Sequence, residues 1–463
     1  MPKTSAICHW LLALGFLVFA GSFAYSMAQS APSPVREQLL NGLPVLYWQR
    51  PGDANVFLKL RLNSGAAFDL AGKAGTMALI GDALFPDPAT REYVRDELGG
   101  RLEVTTTYDS IDVIISGKAS ELERIVELLR NAILSLNLSP ESVTKLREAR
   151  LAQLGKEPLS TSLMADRAVA ARLFGPFPYG RPAQGDVDSL ARVERADLML
   201  AQERFFHSDN AALVVIGGVE RARLMRDLRQ MLGPWQKADR SVAQTFRQPN
   251  APDARTLLIN QPGKNNAEVR LAWRGLSRSD RDVVAASVLS QIARERWQAA
   301  VPELSSTRVG HEAHTLPGMF VFAASVPAAT AQKALTAAQE VMNTLAQTGP
   351  SAAELERAVR TALAEAGKRS GELDLVADLW LDSEIYKTSL TANPANEISR
   401  LSTTDLQRVA TRLVKDTTPA KIVMGDAEQL KSNINNIELP NTKPALKPDV
   451  KSTTAPQPPP KKP

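Results

Sequence analysis

Apolar and polar positions along the 463 residues change period several times, and each change predicts an element. Leu43-Pro-Val-Leu-Tyr-Trp-Gln49 reads as a strand, and Val56-Phe-Leu-Lys-Leu-Arg-Leu62 as a second one with strict alternation. Gly75-Thr-Met-Ala-Leu-Ile-Gly-Asp-Ala-Leu-Phe85 reads as a small apolar helix, and residues 91–98 as an amphipathic one stopped by Gly99-Gly100. Arg101 to Tyr108 and Ser110 to Ser116 predict a hairpin turning at Asp109, and Glu121 to Leu136 carries apolar residues at helical spacing. Ser139-Pro140 predicts an N-cap with proline at the first helical position, the helix running to about Leu154. A loop then carries Phe177-Pro-Tyr-Gly-Arg-Pro-Ala-Gln-Gly185. Asp197 to Phe206 follows as a helix and Ala211 to Gly217 as a buried strand.

The same order returns in the second half. Pro140 and Pro350 both head a helical run. Asp197-Leu198 and Val214-Val-Ile-Gly217 recur as Asp405-Leu406 and Ile422-Val-Met-Gly425 at the same separation. Near-constant offsets over separated matches predict a duplicated α+β domain. Lys237 to Arg255 is polar with Pro249 and Pro252 and reads as a linker.

Charge and cysteine usage narrow the picture at the ends. The formal charge of +5 is accounted for by Lys3 and by the proline-rich tail after Pro440, whose five lysines less Asp449 give +4, so the body is near neutral and carries no signature of nucleic-acid binding. The tail from 438 to 463 has too little apolar surface to pack and is expected to be disordered or polyproline-like. Lys3, the apolar run Trp10 to Tyr25 and Ser26-Met-Ala28 form an n-region, an h-region and a small-x-small site. We expect a signal peptide over 1–28, cleaved after Ala28, with an uncleaved anchor helix as the alternative. The single cysteine, Cys8, would leave with it. That excludes disulfides and thiol chemistry from the mature chain.

The apolar helix is where a resemblance enters. Gly75-x-x-x-Leu-Ile-x-x-x-Leu-Phe85 resembles the motif helix of the pitrilysin/insulinase-type zinc peptidases, the inverzincins, which reads Gly-x-x-His-x-x-Glu-His-x-x-Phe. Other stations agree in order: Asn41-Gly-Leu43, Ser64-Gly65, Phe177-Pro-Tyr-Gly-Arg-Pro182 with Gly185, and Arg204-Phe-Phe-His-Ser-Asp-Asn210. The resemblance implies two homologous domains of the mitochondrial-processing-peptidase/LuxS-like metallohydrolase type. Each would be a mostly antiparallel sheet packed with helices, over 38–236 and 256–437, joined by a 237–255 linker.

In that family the two histidines hold Zn²⁺ and the glutamate is the general base. The template sets Ala78, Gly81 and Asp82 on those positions and Gln153 on the third ligand. Ala and Gly offer no ligand atom, and an amide oxygen is a weak one. His207 reads as a capping or surface residue. His311 and His314 fall in or beside a strand, where i and i+3 point to opposite faces. The resemblance further assigns Thr105, Thr107 and Tyr108 to a strand able to pair with an extended peptide. It keeps Arg294-Glu295 in the second half but offers no tyrosine before Phe320.

The expectation is therefore a chain with no catalytic residues and no cofactor of its own. It would be the substrate-holding subunit of a heterodimer whose active zinc-peptidase homologue carries the metal. The expected setting is the periplasm, with a peptide or unfolded segment as ligand and no membrane contact after signal cleavage. The alternative is an envelope scaffold with no proteolytic partner.

Overall fold

The computed structural model describes residues 33–156, 160–238, 246–387, 394–415 and 417–439. The expected signal peptide lies outside these residues, as does the tail beyond 439. No described helix is long and apolar enough to cross a membrane.

Two six-stranded sheets carry the fold. The first holds β1 (Val35–Gln38), β2 (Pro44–Gln49), β3 (Asn55–Leu62), β4 (Leu102–Thr106), β5 (Ile111–Lys118) and β6 (Ala211–Gly217) in the order β1-β2-β6-β3-β5-β4. The second holds β7 (Thr256–Asn260), β8 (Asn266–Arg274), β9 (Ser305–Glu312), β10 (Met319–Pro327), β11 (Ala420–Gly425) and β12 (Ile437–Glu438) in the order β12-β7-β11-β8-β10-β9. Apart from the outermost strands β1 and β12, the orders are superimposable. β2/β6 matches β7/β11 as the parallel pair, and the other inner pairs are antiparallel in both.

The duplication extends to the helix caps. Glu194 and Asp197 form a capping box on the helix Arg195–Phe205, and Ser402 and Asp405 form one on Thr403–Val414. Asp197 and Asp405 thus sit in the first turn, not before it. The two prolines are not equivalent: Pro140 opens its helix, Pro140–Lys156, whereas Pro350 precedes the cap Ser351 of Ala352–Arg369.

Each sheet buries one face under helices of its own half. The other face is covered by a helix from the opposite half. Helix Leu373–Tyr386 lays Val376, Ala377, Trp380 and Leu381 over Phe57, Ile114, Val214 and Ile216 of the first sheet. Helix Thr161–Phe174 lays Val169, Leu173 and Phe174 over Ala272, Val321 and Ile422 of the second. Burial on both faces explains the uninterrupted apolar run of β6, whose seven residues are all buried. The sequence pattern leaves helix Thr161–Phe174 and β1 unassigned, since the helix takes its orientation from a distant sheet.

The crossing helix also reaches the charges of β3. Lys59 and Arg61 alternate with core residues, as on a solvent-facing strand, yet both are buried. Asp374, Asp378 and Asp382 recur every fourth residue along one face of Leu373–Tyr386 and close on them. Lys59 Nζ lies 2.6 Å from Asp374 and from Asp378. Arg61 donates to Asp112 and, at 2.8 Å, to Asp382.

Candidate functional site

The helix Thr76–Leu84 starts at Gly75, whose φ of 99° and closeness to Leu190 exclude a Cβ. The Asp69 carboxylate accepts the N–H groups of Gly75 at 2.6 Å and Met77 at 2.9 Å and caps this first turn. Burial pushes Asp69 up to about 7, outweighing those two hydrogen bonds and nearby Arg181. Gly185, with φ 78°, packs directly on Gly75, so the Phe177–Gly185 loop lies against the helix start. Tyr179 from this loop donates to Asp109 at 3.1 Å and accepts from Leu316 N–H at 3.0 Å, joining the loop, the β4–β5 turn and the second half.

Along the helix Ala78 and Gly81 are buried and Asp82 is half-buried. A Cβ on Gly81 would stand 2.5 Å from Thr106 Oγ1, so a longer side chain there would have to displace the β4 residue facing it. Opposite Asp82 stands Arg150, on the buried stripe of helix Pro140–Lys156 that also carries Val143 and Leu146. Its Nε and Nη2 each lie 2.6 Å from an Asp82 oxygen, and Nη2 is 3.4 Å from the Ala78 carbonyl. Nη1 donates to Gln184 Oε1 at 2.6 Å, and Gln184 Nε2 donates to the Thr106 carbonyl at 2.8 Å. Gln153 is exposed and one helical turn away from this contact.

These residues do not fit a zinc ion. Both Asp82 oxygens are taken by a guanidinium, whose fixed charge already sits against the ligand positions. The described residues contain no group of three or more His, Cys, Asp or Glu side chains able to hold a metal. His207 Nε2 bonds the Glu203 carbonyl at the end of its helix. His311 and His314 are held separately: His311 Nε2 accepts Leu276 N–H at 2.9 Å, and His314 Nδ1 lies 3.4 Å from Asp109. Burial lowers His311 to about 4.

β4 forms the free edge of the first sheet. Thr107 N–H bonds Ser110 O and Ser116 N–H bonds Arg101 O, which sets the alternation: odd residues of β4 bond β5 and even residues face outward. The strand stops at Thr106. Thr107 and Tyr108 belong to the turn, and their carbonyls are taken by Ala66 and Ala67 N–H at 2.9 Å. Tyr108 is half-buried, with its hydroxyl on the Arg181 carbonyl at 2.7 Å and its ring against Tyr179 and His314. Of the three strand positions named from the sequence, only Thr105 therefore lies on the strand. Its side chain lines, with Glu103 and Thr107, a cavity of about 760 Å³ between the first sheet and the second half.

The sequence reading missed Arg150 and Gln184. The signal for Arg150 was a lone acid at Asp82 with a cation on the buried stripe of helix Pro140–Lys156. Gln184 had no local signal, because it acts only once its loop meets β4.

Residues 192–362 match the Peptidase M16 inactive domain family, the M16 family being the pitrilysin/insulinase type. Over that segment the chain is homologous to the M16 peptidases. Mouse (Mus musculus) cytochrome b-c1 complex subunit 1 is 26% identical over 231 residues, which are 48% of this chain and 46% of that protein. An uncharacterized zinc protease of Mycobacterium tuberculosis is 25% identical over 210 residues, 44% of this chain and 48% of that one. The chain thus matches about half the length of either curated relative. Among solved structures, a peptidase M16 inactive domain from Pseudomonas fluorescens superposes with a TM-score of 0.74 at 17% identity, covering 85% of this chain and 98% of that one. The periplasmic protease PqqL from Escherichia coli gives 0.70 at 16%, covering 88% of this chain and 49% of that one. The matched family segment begins after the motif helix. The case against M16 zinc chemistry in this chain rests on Ala78, Gly81, Asp82 and Arg150.

Proposed function

We propose that this M16-type chain is the non-catalytic, substrate-holding subunit of a heterodimeric zinc peptidase of the cell envelope. The observation that carries the reading is the Asp82–Arg150 pair, which fills the motif helix's ligand side with a salt bridge while the adjacent β4 edge keeps unpaired backbone groups. A sheet edge of this kind binds an extended peptide through its main chain, and side chains at alternate positions set preference. In this reading zinc and the general base reside in a homologous partner with an intact His-x-x-Glu-His motif, and this chain supplies shape and the docking edge. Support for an assembled, envelope setting comes from similarity to a protein named as a complex subunit and to one named as periplasmic.

Co-purification from the native host tests the reading. The expected result is a stoichiometric complex with a homologue carrying that motif. Recovery of this chain alone, with no such homologue bound, would sink it.

A further inference from the structure

The outward-facing groups of β4 are not all alike. The N–H and C=O groups of Leu102 and Val104 make no hydrogen bond among the described residues, whereas the Thr106 carbonyl is taken by Gln184 Nε2. A primary amide offers one carbonyl acceptor beside an N–H donor, as a peptide group does. The Gln184 amide is also held in place. Arg150 binds its oxygen, and the two bonds from Arg150 to Asp82 prevent the guanidinium from swinging away. Asp82, Arg150, Gln184 and the Thr106 carbonyl form one chain of contacts from the motif helix to the sheet edge.

We propose that Gln184, clamped by Arg150, is a built-in stop on the β4 edge. Its amide occupies the Thr106 carbonyl in place of the next peptide group, so a docked segment pairs with Leu102 and Val104 and ends there. Beyond Thr106 the strand has ended: Thr107 N–H bonds Ser110 O across the hairpin, and the Thr107 and Tyr108 carbonyls bond Ala66 and Ala67 N–H at the turn, so no further outward-facing pair follows. The open stretch therefore suits an extended segment of about four residues. Longer peptides gain no further main-chain bonds, and the segment stops short of the Asp82–Arg150 pair. Gln184 is a positioning residue that sets length and register. The inference rests on the reading of β4 as a docking edge.

The test uses the full chain and two fluorescein-labelled probes, a tetrapeptide and a decapeptide of alternating threonine and valine closed by lysines. Binding is read by anisotropy, and amide hydrogen exchange is followed at Leu102 and Val104. Wild-type chain is expected to bind both probes alike and to show protection at those two amides. Gln184→Ala and Gln184→Glu each release the Thr106 carbonyl, and the glutamate keeps a partner for Arg150 should the alanine variant unfold. Each is expected to tighten the decapeptide about fivefold, the worth of one main-chain hydrogen bond, and to leave the tetrapeptide unchanged. If both folded variants bind the decapeptide no better than wild type while protection persists, the stop is overturned and the docking edge stands. If no chain binds either probe and neither amide is protected, the docking edge falls and takes the stop with it.

Discussion

Arg150 decides what the motif helix can do. Its two bonds to the Asp82 carboxylate set a planar, bidentate ion pair across the ligand side of the helix. Restoring the family's letters alone should fail. The Ala78→His, Gly81→Glu, Asp82→His triple variant is expected to carry no stoichiometric zinc by plasma mass spectrometry, because it leaves the Arg150 cation without a carboxylate beside the new ligands, keeps Gln153 at the third-ligand position, and sets a glutamate at Gly81 where it would run into Thr106. One tightly held equivalent in that variant would contradict this account of the site.

A second residue-scale consequence concerns His311. Its Nε2 must stay unprotonated to accept Leu276 N–H, and burial holds it near 4 against an ordinary 6.5. Between these values the unfolded chain takes up a proton that the native chain refuses, so stability is full above pH 6.5 and falls as pH drops toward 4. The loss is about 3 kcal/mol over the window. Asp69, raised to about 7, works in the opposite sense over much of that range. The measurement is therefore the difference in urea midpoint between wild type and His311→Gln across pH, expected to shrink on acidification. A constant difference would contradict it.

Among elements, the crossing helix Leu373–Tyr386 shows how much of the fold was hidden from a local pattern. Lys59 and Arg61 read as the polar side of an alternating strand, and Asp374, Asp378 and Asp382 fall in a segment to which the sequence pattern assigns no element. Neither segment names the other, since 315 residues separate Lys59 from Asp374. Only tertiary packing brings these polar side chains into one seam, with Lys59, Arg61 and Asp112 buried and the three helix aspartates half-buried. Arg61→Met should leave Asp112, Asp378 and Asp382 short of their cation and destabilise the chain by about 3–5 kcal/mol in urea unfolding. Arg360→Met, at the exposed pair with Glu356, should change stability by less than about 0.5 kcal/mol. Equal effects would show that the seam is solvated.

What was legible follows the same division. β2, β3, β5 and β6 and the motif helix were readable because alternation, apolar runs and caps are local. Helix Thr161–Phe174 was not, because its buried residues answer to a sheet formed by residues 256–438. Arg150 was half legible, lying in a helix already singled out, whereas the Gln184 contact needed the loop and edge strand brought together.

At the scale of the whole molecule, two copies of one sheet topology are tied by reciprocal helices. One copy keeps a free edge beside a motif helix whose chemistry has been replaced by an ion pair. On the function proposed above, a duplicated fold that holds a peptide at this edge acts by completing a partner's substrate cleft. The most direct measurement is the rate at which a homologue bearing His-x-x-Glu-His, from the same host, cleaves an unfolded peptide with and without this chain. We predict that wild-type chain raises the rate up to one equivalent and that Val104→Pro, which removes one outward N–H from the docking edge, does not. A rate unchanged by wild-type chain, with the two proteins eluting apart, would contradict the account.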